Sequence, residues 1–304
     1  MTGQVLDRSI LQGDSIELFR AAIKSPWTRD PYERRLINFL NQVSLTPDEF
    51  VSLAKRDPSS VEKKVMSFIS VQKKRVENKE ITGATLSNFL KAIRLLLEMS
   101  DVNLNWKKIR RILPRARRYA VDRVPTIEEI RGIVDAADLR GKALTLVLLS
   151  SGIREGAIES LQVQDYSPIE TDGKLVAGKL IVYRGEPEMH TVFITPEAVF
   201  ALQKYLEFRQ TNSEDIKPTS PLFQDKFDPI KHQYGHGKSN SLEKIVPMTP
   251  HAVRQYYNRL LFSIGIRNEK KRRHDFSVHG FRKWFKTRCE IGGMKPINVE
   301  TLLN

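Results

Sequence analysis

From Pro31 to Met99 the apolar residues recur at helical spacing, and hardly any of the stretch alternates as a strand would. Leu36, Ile37, Phe39 and Leu40 make one apolar face, Val61, Val65, Phe68 and Ile69 a second, and Phe89, Leu90, Ile93, Leu96 and Leu97 a third. Steps of three and four residues put each set on one side of a helix, which must then be covered by another helix. Thr46-Pro47-Asp48-Glu49 supplies a cap, a proline at the first helical position and an acid three residues after the cap. The first part of the chain therefore reads as a small all-helical domain of about four helices.

The whole chain has 304 residues, enough for two ordinary domains with a core each. Hydrophobic residues make up 40% and charged residues 28%, which excludes a disordered or fibrous chain. The longest apolar run, Ala143–Leu149, is far short of the ~20 residues of a membrane span. The opening MTGQVLDRSI lacks the apolar core of a signal peptide. A lone cysteine, Cys289, excludes an internal disulfide framework and fits a reducing cytoplasm. Lys and Arg number 50 against 36 Asp and Glu, a formal net charge of +14, which points to a polyanion and first of all to nucleic acid.

Much of that charge gathers in one place. Asn105 to Arg118 holds seven basic residues and no acid: Lys107, Lys108, Arg110, Arg111, Arg115, Arg117 and Arg118. Pro114 interrupts any helix through the run. It reads either as a solvated helix end with a linker or as a basic connector laid along a phosphate backbone, and the overall charge favours the second. Pro125-Thr126-Ile127-Glu128-Glu129 then opens a new helix, and Gly141–Leu149 reads as a buried helix stopped by Ser150-Ser151-Gly152. Lys174–Tyr183 and His190–Ile194 look like a hairpin joined through Arg184-Gly185-Glu186-Pro187-Glu188. Thr195-Pro196-Glu197 and Thr249-Pro250 start two more helices, the second running to about Ile264. The polar stretch from Thr211 to Pro247 reads as surface loop. The fold class is mainly α with a small antiparallel sheet, in two domains: an all-helical one over 1–104, a basic linker over 105–124, and an α+β domain over 125–304.

Two segments carry chemistry. In Ser150-Ser151-Gly152-Ile153-Arg154-Glu155-Gly156-Ala157-Ile158 a helix stops at Gly152, and Arg154 stands at the entrance of the next. An arginine beside free helix N–H groups suits a phosphate, although a surface arginine is the commoner finding there. In His279-Gly280-Phe281-Arg282-Lys283-Trp284-Phe285 a helix puts His279 and Arg282 on one face and turns Phe281 and Phe285 to the core. Such a pair offers a proton carrier and a bidentate charge. Lys270, Lys271, Arg272 and Arg273 lie just before it.

Together the two segments, in this order, resemble the two arginine boxes of the tyrosine recombinase (integrase) family, and its archaeal or mobile-element branch in particular. The resemblance implies a helical core-binding domain, a basic connector and a catalytic domain that clamp duplex DNA between them. It implies strand cleavage and rejoining through a 3′-phosphotyrosine, with no cofactor and no metal ion. Arg154 and Arg282 would grip the scissile phosphate, and His279 would assist proton transfer. Lys107, Lys108, Arg110, Arg111, Arg115, Arg117, Arg118, Lys271, Arg272 and Lys283 are the candidate DNA contacts. The family works as a homotetramer on paired sites, and this chain is expected to be a monomer in the cytoplasm, associated with the nucleoid.

Three departures stand out. Where the family has a lysine in the hairpin turn as general acid, this sequence offers Arg184, which holds its proton too tightly to donate it well. Either Arg184 only contacts phosphate, or Lys179 reaches in from the strand, or the acid lies elsewhere. Ala157 replaces the acid that follows the first arginine. The nucleophilic tyrosine belongs well after Arg282, whereas Tyr32, Tyr119, Tyr166, Tyr183, Tyr205, Tyr234, Tyr256 and Tyr257 all precede His279. The expectation is a form truncated before that tyrosine, which binds DNA without cleaving it. The rival readings are a non-catalytic DNA-binding regulator or decayed integrase, and a metal-dependent nuclease. For the nuclease, the loop acids Asp215, Asp225 and Asp228 are scattered, and His232 and His236 lack companion cysteines. Cys289 reads as a small core residue.

Overall fold

A computed structural model of the chain describes residues 8–115, 123–212, 214–226, 245–268, 274 and 276–303. It divides into two compact units, Met1–Arg118 and Tyr119–Asn304. Among the described residues no helix is long and apolar enough to cross a membrane.

The first unit is all helical: α1 (Asp14–Ala21), α2 (Pro26–Val43), α3 (Pro47–Arg56), α4 (Pro58–Glu77), α5 (Gly83–Glu98) and α6 (Trp106–Arg111). The Thr46 cap forms as a full capping box, its side chain accepting from Glu49 N while Glu49 reaches back to Thr46 N. The three apolar faces meet in one core, threaded by edge-to-face rings: Phe39–Phe50 at 5.0 Å, Phe39–Phe68 at 5.2 Å and Phe68–Phe89 at 5.3 Å. Six helices stand where about four were expected. The two additions are short, eight and six residues, and carry too few turns to show a period. The second of them corrects the domain reading. Trp106 and Ile109 of α6 are buried in this core, so the stretch read as a connector from 105 onward is, in its first half, part of the helical unit.

The second unit opens with α7 (Ile127–Ala136) and α8 (Leu139–Ser151), then passes through two 3-10 turns into a three-stranded antiparallel meander: β1 (Tyr166–Thr171), β2 (Lys174–Val182) and β3 (His190–Ile194). Among the described residues four helices follow it: α9 (Pro196–Thr211), α10 (Pro250–Ser263), α11 (His279–Ile291) and α12 (Pro296–Leu303). The β2–β3 hairpin pairs Val182 with His190 and Gly178 with Ile194. Gly178, Leu180 and Val182 are buried, so this face of the sheet lies on the core that α8 and α9 complete. β1 escaped the sequence reading because Tyr166-Ser167-Pro168-Ile169-Glu170-Thr171 is an edge strand without apolar alternation. The expected loop after Thr211 is also less superficial than its composition suggests. Leu222 and Phe223 are fully buried, and Gln162 and Gln224 make isolated bridges to Pro221 and Pro247. The buried Arg209 guanidinium pays for its own desolvation by pairing with Glu214 and donating to the carbonyls of Pro221 and Leu222.

Candidate functional site

The site is built where α8 stops. Gly152 caps the helix at a φ of 67°, and a β-carbon added there would fall 2.4 Å from Cδ1 of Phe285 and 2.8 Å from Cδ2 of Leu303. Glycine is therefore required twice over, by conformation and by the approach of α11 and α12. The chain leaves in extended conformation at Arg154, which caps a 3-10 turn, Glu155–Glu159, rather than the α-helix expected there. That turn is too short to offer a helix N-terminus, so the charge at this point is Arg154's own. The Glu155 carboxylate, 3.0 Å from Nε of Arg254, ties the turn to α10.

Arg282 comes from the first turn of α11 and is half-buried. Its guanidinium donates to the Gly152 carbonyl at 2.9 Å and to the Leu303 carbonyl. Both acceptors lie at helix C-terminal ends, where carbonyls lack intrahelical partners and carry partial negative charge. Two fixed acceptors set the direction of the fork. Burial first, and then the nearby positive charge of Arg154, lower the pKa of Arg282. An arginine keeps its proton regardless, so the site holds two cations that repel each other. An anion between them relieves that repulsion.

The remaining expected residues are distributed unevenly. His279 is the first residue of α11, exposed and three residues before Arg282, on the same face. Phe281 is buried as expected, while Phe285 is only partly covered where it packs on Gly152. Arg184 is committed elsewhere: it pairs with Asp165, whose side chain is 2% exposed, and lies 3.4 Å from the Gln164 carbonyl. A buried carboxylate thus holds the guanidinium to the turn before β1. Lys179 stands in the middle of β2, opposite Ser167 and Phe193, on the side away from Leu180 and Val182. Nothing among the described residues joins it to the arginines. Cys289 is half-buried on α11 rather than a core residue.

Of the candidate DNA contacts, Lys107, Arg110, Arg111 and Arg115 are exposed in the first unit. Lys108 pairs with Glu62 at 2.9 Å, and Glu62 also accepts from Asn105 N, which pins the start of α6. The Asn105 amide and then Lys108 hold the Glu62 carboxyl below its ordinary pKa. Lys283 is half-buried beside Arg282. Arg117, Arg118, Lys271 and Arg272 lie outside the described residues, as do His232 and His236. Among the described residues no three His, Cys, Asp or Glu side chains are grouped to hold a metal ion.

One residue of this neighbourhood escaped the sequence reading. Tyr183, just past the end of β2, reaches back so that its hydroxyl is 3.8 Å from where a β-carbon on Gly156 would stand. Both Arg154 and Arg282 act on the phenol electrostatically, lowering its pKa, but burial raises it by more. Its position directly before Arg184-Gly185 was the available signal.

No protein-family model matches the sequence, and no curated protein matches it either. Solved structures do match. The XerH site-specific recombinase bound to its difH substrate matches 90% of this chain over 72% of its own, with a TM-score of 0.55 and 15% identity. The Tn1549 transposon integrase in complex with transposon right end DNA matches 96% of this chain over 91% of its own, with a TM-score of 0.55 and 14% identity. The chain shares their fold. At these identities the likeness is one of architecture, and it spans the helical unit as well as the α+β unit. XerH on a palindromic difH substrate, in a post-cleavage complex, gives the same result: 97% of this chain, a TM-score of 0.53 and 13% identity.

Proposed function

We propose that this chain binds double-stranded DNA and grips one phosphodiester at Arg154 and Arg282, as a site-specific recombinase or integrase of the tyrosine recombinase type. The observation that carries the proposal is the convergence of two arginines from distant parts of the sequence, one of them aimed by two helix-end carbonyls. Two guanidiniums on the non-bridging oxygens would stabilise the charge that builds on phosphorus during transfer, the role a metal ion plays in other phosphoryl-transfer sites. His279, exposed and on the same helix face as Arg282, would move a proton at the attacking or leaving oxygen. Lys107, Arg110, Arg111 and Arg115 add sequence-independent affinity from the helical unit. On DNA the assembly would be a tetramer on paired sites.

Strand cleavage by this chain is not expected, because all eight of its tyrosines precede His279. Tyr205 and Tyr257 are buried, with the Tyr257 hydroxyl bonded to Thr145 at 2.9 Å, and the Tyr166 hydroxyl is buried too. The test has two arms, both in EDTA. In gel shifts, Arg154→Ala and Arg282→Ala should each weaken duplex binding relative to the parent. On a nicked suicide substrate the parent should leave no covalent adduct. Unchanged binding in both variants refutes the phosphate site, and an adduct refutes the binding-only state.

A further inference from the structure

The hairpin turn presents a tyrosine to the arginine pair, where the family resemblance leads one to look for a lysine. Gly178, Leu180 and Val182 point into the core, and the next residue, Tyr183, turns out of the strand at a φ of 56°. A side-chain-bearing residue rarely adopts that left-handed conformation, and it persists only where the surroundings impose it. Here they do. Glu186 N donates to the Tyr183 carbonyl at 2.9 Å, Met189 N donates to the Glu186 carbonyl at 3.0 Å, and Arg184 is anchored on buried Asp165. The turn is thus fastened on both sides of Tyr183, and the ring is carried over the 3-10 turn that Arg154 caps. The ring's centroid lies 6.2 Å from that of His190, across the mouth of the hairpin.

The hydroxyl is what this arrangement delivers. The two fully buried tyrosines of the unit satisfy theirs, Tyr257 with Thr145 and Tyr205 by accepting from Gln224 N, whereas the buried Tyr166 hydroxyl stays unpaired. The half-buried Tyr183 hydroxyl has no hydrogen-bond partner among the described residues, yet it stands within the field of two guanidiniums. A guanidinium offers only donors, so the phenolic O–H finds no acceptor on either arginine, and an anion held by them would supply one. We propose that Tyr183 is a third donor of the site, its phenolic O–H hydrogen-bonding an oxygen of the phosphodiester that Arg154 and Arg282 grip. The proposal rests on the phosphate-binding reading of those arginines. Burial outweighs the two positive charges and raises the phenol's pKa, so the proton that Tyr183 would donate stays in place.

The experiment uses the full chain with 3-fluorotyrosine in place of tyrosine, a random-sequence duplex as probe, EDTA and low salt. The fluorine resonance of Tyr183 is the one missing from Tyr183→Phe. Adding duplex should shift it in the parent and leave it in place in Arg154→Ala. Tyr183→Phe, which keeps the ring, should weaken binding roughly threefold to tenfold. If both arginine variants lose affinity while the Tyr183 resonance stays put, the inference falls and the phosphate site stands. A loss of affinity in Tyr183→Phe without a resonance shift in the parent makes the residue structural and also overturns it. If neither arginine variant changes binding, the underlying reading is what fails. A DNA adduct abolished by Tyr183→Phe would make the residue a nucleophile and refute its role as donor.

Discussion

Gly152→Ala is the substitution that most directly probes how the site is assembled. The parent backbone there has a φ of 67°, which costs a residue with a β-carbon about 1–2 kcal/mol. The new methyl would lie 2.4 Å from Phe285 and 2.8 Å from Leu303, so α11 and α12 must move back, an overpacking worth about 1–3 kcal/mol. Together the loss is about 2–5 kcal/mol, confined to the second unit because the helical unit has its own core. Hydrogen exchange followed peptide by peptide across the full chain reads both units at once. Protection in α8 and α11 should fall while α2 to α5 keep theirs. DNA affinity should fall too, since the Gly152 carbonyl is one of the two acceptors that aim Arg282. Gly156→Ala is the control from the same loop: no strained φ is recorded there, and the nearest atom is 3.8 Å away, so the change should stay within about 0.5 kcal/mol. If Gly152→Ala is as well protected as the control, the close approach of α11 and α12 to the end of α8 is wrong.

Removing one partner from the buried Arg209–Glu214 pair by Glu214→Gln should cost about 3–5 kcal/mol, because a guanidinium 1% exposed is left without its counter-charge; chemical denaturation monitored in the second unit would show it. Lys107→Ala and Arg111→Ala, both in the exposed part of α6, should weaken binding equally on all duplex sequences and each lower the salt slope by roughly 0.9; a sequence-dependent loss would contradict backbone contact. The Asp48 carboxylate accepts from the Ser15 side chain and, at 3.0 Å, from its amide, and the side-chain bond is the largest cause of its lowered pKa. Its contribution is therefore complete above the unfolded value near ~4 and fades as pH falls through the folded one, so Asp48→Asn should flatten the acid side of the helical unit's stability curve. An unchanged curve would remove Asp48 from the account.

What was legible in the sequence follows from how far each signal reaches along the chain. The faces Leu36–Leu40, Val61–Ile69 and Phe89–Leu97 repeat over several turns, and all of them lie in one core. Caps are shorter signals but chemically specific, and Thr46, Thr126 and Thr249 each start the helix expected of them. The α6 helix was hidden because its basic residues dominate the composition of the run, while only Trp106 and Ile109 anchor it. For Arg184 the partner was invisible: Asp165 lies nineteen residues away on a turn that no pattern announces. Arg154 and Arg282 were legible only as a pair, since either segment alone describes an ordinary surface arginine.

Tyr183 shows where such reading stops. In sequence it is one tyrosine among eight, placed too early to be the expected nucleophile, and the order of the chain gives no reason to look at it again. Its relevance comes from three constraints acting on one point in space. The pairing of β2 with β3 fixes where the strand ends, Arg184 and Asp165 fix the turn beyond it, and the ring then carries its hydroxyl to the Arg154 turn beside Gly156. The first two are set by other residues. An arginine where the resemblance leads one to expect a lysine therefore does not by itself decide what the turn can do. On the reading proposed above, Tyr183 brings a hydrogen-bond donor to the phosphate while Arg184 holds the turn on Asp165.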